Sequence, residues 1–179
     1  MPLSVVFAIA AAVSLVVAAA VLLTVRREPA VRALYEKLPR ERISGTILGA
    51  VALIWCIPNI RPIFMPDSPF QAFIVPLILL AIVLAAIFLN YLFARAFAAI
   101  LILGAHAVLK AAYPAQLPGY PVLAALLLLA GVIGILISAK PYWLRDWFRL
   151  SFRNPAVRWS SAAYFLLLGA MSCCCAVGA

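Results

Sequence analysis

Acid is scarce in this sequence: five Asp and Glu residues stand against fourteen Lys and Arg in 179 residues. All five, Glu28, Glu36, Glu41, Asp67 and Asp146, fall between long apolar runs. That placement excludes proton relays and sodium sites built on carboxylates inside a membrane. Histidine is nearly missing as well. His106 is the only one, which excludes bis-histidine haem ligation and any multi-histidine metal centre. Three of the four cysteines are consecutive, Cys173, Cys174 and Cys175. Neighbours on a helix point about 100° apart, so these three cannot chelate one ion together, and no C-x-x-C pair occurs. H-E-x-x-H, G-x-S-x-G, the P-loop and the dinucleotide-binding glycine pattern are all lacking. No catalytic residue, cofactor site or metal site is therefore expected, and without a nucleophile and base at matching depth the chain does not read as an enzyme.

What the chain has in abundance is apolar surface. Hydrophobic residues make up 68% of it, charged residues 11%, and the mean hydropathy is +1.18. Too little polar surface remains to cover a water-soluble globule of this size. The expected fold class is all-α, a polytopic membrane protein forming one transmembrane domain over residues 1–179. A net charge of +9 would suggest nucleic acid in a soluble chain. Here the basic residues lie between the apolar runs, so they read as topology signals and contacts for anionic phospholipid, with no nucleic-acid partner.

Apolar runs of roughly 17–25 residues are long enough to cross about 30 Å of hydrocarbon as helices. Six are expected, at about 3–25, 43–57, 70–93, 96–112, 122–139 and 160–179. In a six-helix threading, twelve basic residues fall on one side: Arg26, Arg27, Arg32, Lys37, Arg40, Arg42, Arg95, Lys140, Arg145, Arg149, Arg153 and Arg158. Only Arg61 and Lys110 fall near the other. Basic loops stay in the cytoplasm, which places both termini on the non-cytoplasmic side of a bacterial-type inner (plasma) membrane. A cleaved signal peptide ending near "VVAAA" at 16–20 is the rival reading of the first run, weakened by the lack of a basic n-region.

Two basic-side segments carry amphipathic patterns. In "EPAVRALYEKLPRER", Pro29 suits a first helical turn, Val31, Leu34, Tyr35 and Leu38 share a face, and Arg32 can meet Glu36 at i,i+4. In "YWLRDWFRLSFR" at 142–153, Arg145, Arg149, Arg153 and Asp146 lie on one arc opposite Trp143, Leu144, Trp147, Phe148 and Leu150. That pattern fits a helix in the headgroup plane with its basic face toward anionic lipid.

On the other side, "IPNIRPIFMPDSP" at 57–69 and "YPAQLPGYP" at 113–121 are rich in proline, which stops helices and stiffens turns. Pro58 is expected to end the second run, and Arg61 and Asp67 are the polar groups available for an outer-loop site. "GTILG" at 45–49 places Gly45 and Gly49 at the spacing that lets helices approach closely, within a bundle or between protomers, and Gly169 with Cys173 repeats it. "ILGAVALIWCIP" at 47–58 also resembles "ILGAHAVLKAAYP" at 102–114, and "YLFARAF" and "YWLRDWF" follow in the same order. This hints at a duplicated helical hairpin, a symmetry on which transporters build sites.

The stretch "LILGAHAVLKAAYP" carries the two ionisable groups set deepest. With a helix starting at about Ala96, His106 lies about 15 Å in and Lys110 about 21 Å in, one turn apart on one face. Lys110 can snorkel outward on its four-carbon stem, whereas His106 needs a carbonyl, a serine or a partner. His106, Lys110 and Asn90 form the candidate intramembrane polar site. Two functions are weighed: a non-catalytic scaffold, assembly or accessory subunit binding lipid and other membrane chains or itself, and a small transporter or channel for an anionic or neutral solute. A polar cavity between helices favours the second, and tight packing with an exposed apolar face favours the first.

Overall fold

The structure, a computed structural model, describes residues 3–23, 29–60, 70–115 and 119–177. The described residues form eight α-helices: α1 (Leu3–Leu23), α2 (Pro29–Lys37), α3 (Arg42–Ile60), α4 (Phe70–Phe88), α5 (Leu92–Ala115), α6 (Tyr120–Ala139), α7 (Tyr142–Arg153) and α8 (Pro155–Val177). A single 3-10 turn, Leu38–Arg40, joins α2 to α3. Six of the helices, all but α2 and α7, are long and apolar enough to cross a membrane. Helix is the form such runs must take, since hydrocarbon offers backbone N–H and C=O groups no partner outside their own segment. The protein is thus an all-helical, multi-pass membrane protein.

Several boundaries differ from the expectation, each for a local reason. The third and fourth runs divide at Leu89–Tyr91, not near Ala94, because Asn90 and Tyr91 form a tight turn in which Tyr91 takes a left-handed φ of 58°. That conformation is unusual for a bulky residue. The Tyr91 hydroxyl is held by Arg40, whose Nε and Nη2 donate to it at 3.2 and 2.9 Å. Pro58 does not end α3, which runs on to Ile60. Pro58 has no N–H to give the Ile54 carbonyl, so the end of the helix forgoes that one bond and continues for two residues; Asn59 donates its side-chain amide to the Trp55 carbonyl at 3.3 Å. Pro114 is likewise inside α5. The last span begins at Pro155, five residues before the expected Ser160. Asn154 caps it, its Oδ1 accepting from the Ala156 N–H at 3.0 Å, with proline in the first helical position.

Small residues decide which spans touch. The most extensive pairing joins the first and last spans, α1 and α8, where a Cβ on Gly169 would lie 3.5 Å from Ala11, Ser14 and Leu15. Ser14 and Ser172 are buried there, each hydroxyl donating at 2.8 Å to a carbonyl one turn back in its own helix, Ala10 and Leu168. Gly169 therefore works with Ser172 and Cys175 on the buried face, and Cys173 is exposed. The α5·α6 seam depends on Gly134, whose missing side chain would meet the Ala98 carbonyl at 3.0 Å and Ile102 at 2.9 Å. The α3·α5 seam is the G-x-x-x-G pair at work within one chain. A Cβ on Gly45 would lie 2.5 Å from the Phe93 backbone nitrogen, and one on Gly49 would lie 3.7 Å from Ala96 Cβ.

Around α5 the central group is α1, α5, α6 and α8, filled by Phe7, Ala18, Val108, Leu123, Leu127 and Phe165. Outside it lies α3, and beyond that α4, which packs chiefly on α3 and leaves Phe73, Leu77, Val83, Ile87 and Phe88 more than half exposed. The two hairpins thus differ, α5 and α6 packing tightly and α3 and α4 loosely. The repeated motifs also part company: "YLFARAF" opens a spanning helix, while "YWLRDWF" forms the separate surface helix α7. The suggested duplication is not realised at this point.

Candidate functional site

At the basic end of the bundle α7 lies across the helix termini. It buries Leu144, Phe148 and Phe152, and Tyr35 of α2 packs edge-on against both phenylalanines at ring-centroid distances of 5.1 and 5.7 Å. The Tyr35 hydroxyl donates to the Ala20 carbonyl of α1 at 2.7 Å, and burial pushes its phenol above the ordinary value of 10.0. Trp147 donates its indole N–H to Ser161 Oγ at 3.1 Å, tying α7 to α8. Leu38 joins the cluster as the amphipathic pattern of α2 requires, while Leu34 is 55% exposed.

The basic face of α7 does not point uniformly away from the protein. Arg149 Nε meets Glu36 of α2 at 3.5 Å and Arg145 Nε meets Asp146 at 3.4 Å. Glu36, Arg145 and Arg149, with Lys37, Arg40 and Glu41, line a shallow polar dish of about 500 Å³. Arg153 is exposed at the end of the helix. Arg158, expected in a loop, is only 8% exposed in the first turns of α8. Four cations and two acids around the dish leave it basic, suited to an anionic headgroup.

In the spans, the residues that matter are on α5. Ala105, Val108 and Ala112 are buried, whereas His106 and Lys110 are exposed. Gly104 opens onto a cavity of about 350 Å³ between α1, α3 and α5, where an added Cβ would meet nothing within 4 Å. Its lining is apolar apart from Ser14 and the Trp55 indole. His106 is two residues from Gly104, about 200° around the helix, and so on the opposite side. Two further cavities, between α6, α7 and α8 and between α1, α2, α5 and α7, are also lined mainly by aliphatic and aromatic side chains.

His106 and Lys110 therefore share a face, as their spacing requires, and that face is the outside of the bundle. Among the described residues neither side chain makes a hydrogen bond or ion pair. Asn90 does not join them, since it sits in the α4–α5 turn at the basic end, exposed. Tyr113, not singled out from the sequence, continues the stripe at the next turn, 65% exposed with its ring 6.2 Å from Tyr120. The i, i+4, i+7 spacing of residues 106, 110 and 113 was the signal for it. Arg61 and Asp67 lie outside the described residues, as do Arg26, Arg27, the expected end of the first span at Val25 and the side chain of Arg32. Among the described residues no three of His, Cys, Asp and Glu stand close enough to hold a metal ion. Compared with known proteins, the chain matches no family model, no curated protein and no solved structure.

Proposed function

We propose that this protein is a non-catalytic subunit of a membrane complex, an assembly or scaffold component that meets its partners along the outside of its bundle. One observation carries the reading: the two ionisable groups set deepest in α5, His106 and Lys110, are turned outward, while the cavities among its helices are lined almost wholly by apolar side chains. A transporter would set such groups beside an internal path. Here His106, Lys110 and Asn90 line none of the four cavities described. The loosely held α4, with one broad apolar face uncovered, supports the same reading, since helix surfaces of this kind take up lipid or a neighbouring span.

In this proposal the basic end, with α2, α7 and the polar dish, faces the cytoplasm and anionic phospholipid, and both termini face the other side. The deciding measurement is the native mass of the protein extracted from its own membrane in mild detergent, with every co-migrating chain identified. A foreign chain in fixed stoichiometry is the expected result. A clean homo-oligomer without a foreign chain overturns the subunit reading and transfers the weight to transport, tested by solute flux in liposomes.

A further inference from the structure

We infer that the face of α5 carrying His106, Lys110 and Tyr113 is the docking strip for a transmembrane helix of a different protein, one bearing a carboxylate within its span. The inference rests on the subunit reading above and names the chemistry of the partner.

Depth is the first part of the argument. The α5 span covers Leu92–Pro114, 23 residues, with residue 103 at its middle. At 1.5 Å per residue His106 lies about 5 Å beyond the middle, Lys110 about 10 Å and Tyr113 about 15 Å. Half the hydrocarbon thickness is about 15 Å, so Tyr113 sits at an interface, where such rings belong. Lys110 can raise its ammonium toward that interface along its own stem. His106 has no such reach. An imidazole about 10 Å below the headgroups, exposed and without a partner among the described residues, is left facing hydrocarbon.

Charge is the second part. Among the described residues nothing answers this strip, and none of the six spans holds an Asp or Glu. A second copy has the same deficiency, and two copies joined on this face would set Lys110 against Lys110 or His106. A partner span with a carboxylate at this depth supplies what both residues lack: an acceptor for the imidazole N–H and a counter-charge for the ammonium one turn above. The flanks suit a helix as well, since Ile102, Leu103 and Leu109 are partly exposed apolar residues bordering the strip.

The test uses the full chain in its native membrane. His106→Leu and Lys110→Leu are combined, and the co-purifying chains are quantified against wild type. Leucine on an exposed face of a span is favoured by hydrocarbon, so the isolated variant should melt at the wild-type temperature, which separates docking from folding. The expected result is a foreign chain with an Asp or Glu in a span, reduced about tenfold by the double substitution, in line with one interhelical polar contact. Lys110→Glu should abolish the complex, and exchanging the partner's carboxylate for Lys should restore it. A foreign chain retained at full level by the double variant overturns this inference and leaves the subunit reading in place. That result assigns Lys110 to lipid phosphate alone. A foreign chain with no acid in its spans also overturns the inference, and the absence of any foreign chain overturns both readings.

Discussion

At the residue scale, glycine spacing rather than side-chain volume sets how the spans approach. Gly45 and Gly104 both lie inside apolar spans, yet one faces the α5 backbone and the other an open cavity. Gly45→Ala would push a methyl into the Phe93 backbone, which cannot yield as a flexible side-chain tip would, and overpacking of this kind costs about 1–3 kcal/mol. Gly104→Ala meets no atom and gains helix propensity. Thermal unfolding in detergent should show a clearly lowered midpoint for the first variant and an unchanged or raised one for the second. Gly45 was legible in advance from the G-x-x-x-G spacing, whereas Gly134 was not, because an approach to the Ala98 carbonyl depends on how α5 and α6 cross. His106 and Lys110 were legible as a one-face pair. Their outward direction was not, since periodicity says which residues share a face and not which way that face points.

Among the elements, α7 is the piece read most completely from the sequence, with both boundaries where the alternation of basic and aromatic residues placed them. Its buried side was harder to read. Leu144, Phe148 and Phe152 pack on Tyr35, so Arg145 and Arg149 turn toward α2 and its acid as much as toward lipid. Phe148→Ala should remove the ring at the centre of this cluster, a loss of about 3–5 kcal/mol for a buried aromatic. Helix content by circular dichroism should be nearly unchanged, while amides of α2 and α7 should exchange with deuterium far faster and those of α8 only near its start. Equal acceleration across all helices would show that the platform and the spans unfold as one. The α4–α5 turn was expected too far along the chain, near Ala94, because hydropathy runs almost unbroken through Leu89, and Asn90 with Tyr91 turns the chain without a glycine or proline to mark it.

For the whole molecule, twelve basic residues fall at one end of the six-span threading, and that asymmetry predicts topology. In a chain stripped of its own four cysteines, Lys140→Cys should react with a membrane-impermeant maleimide only after the cytoplasmic side is opened, and a cysteine at Pro121 should react from the outside in intact cells. The reverse pattern would turn the protein over and move the basic dish to the other leaflet.

The pairing of the first span with the last has a consequence in time. The interface of α1 is made chiefly by α8, whose residues leave the ribosome more than 130 positions later. At about 5–20 residues per second, α1 waits on the order of ten seconds in the bilayer with Phe7, Ala11 and Ser14 uncovered. Local hairpins close as they emerge, but this molecule has its longest-range contact where its packing is most extensive, which makes assembly slow and late. Its native shape therefore forms only once α8 has left the ribosome, and until then the first span has only lipid, or transient neighbours, against its uncovered face.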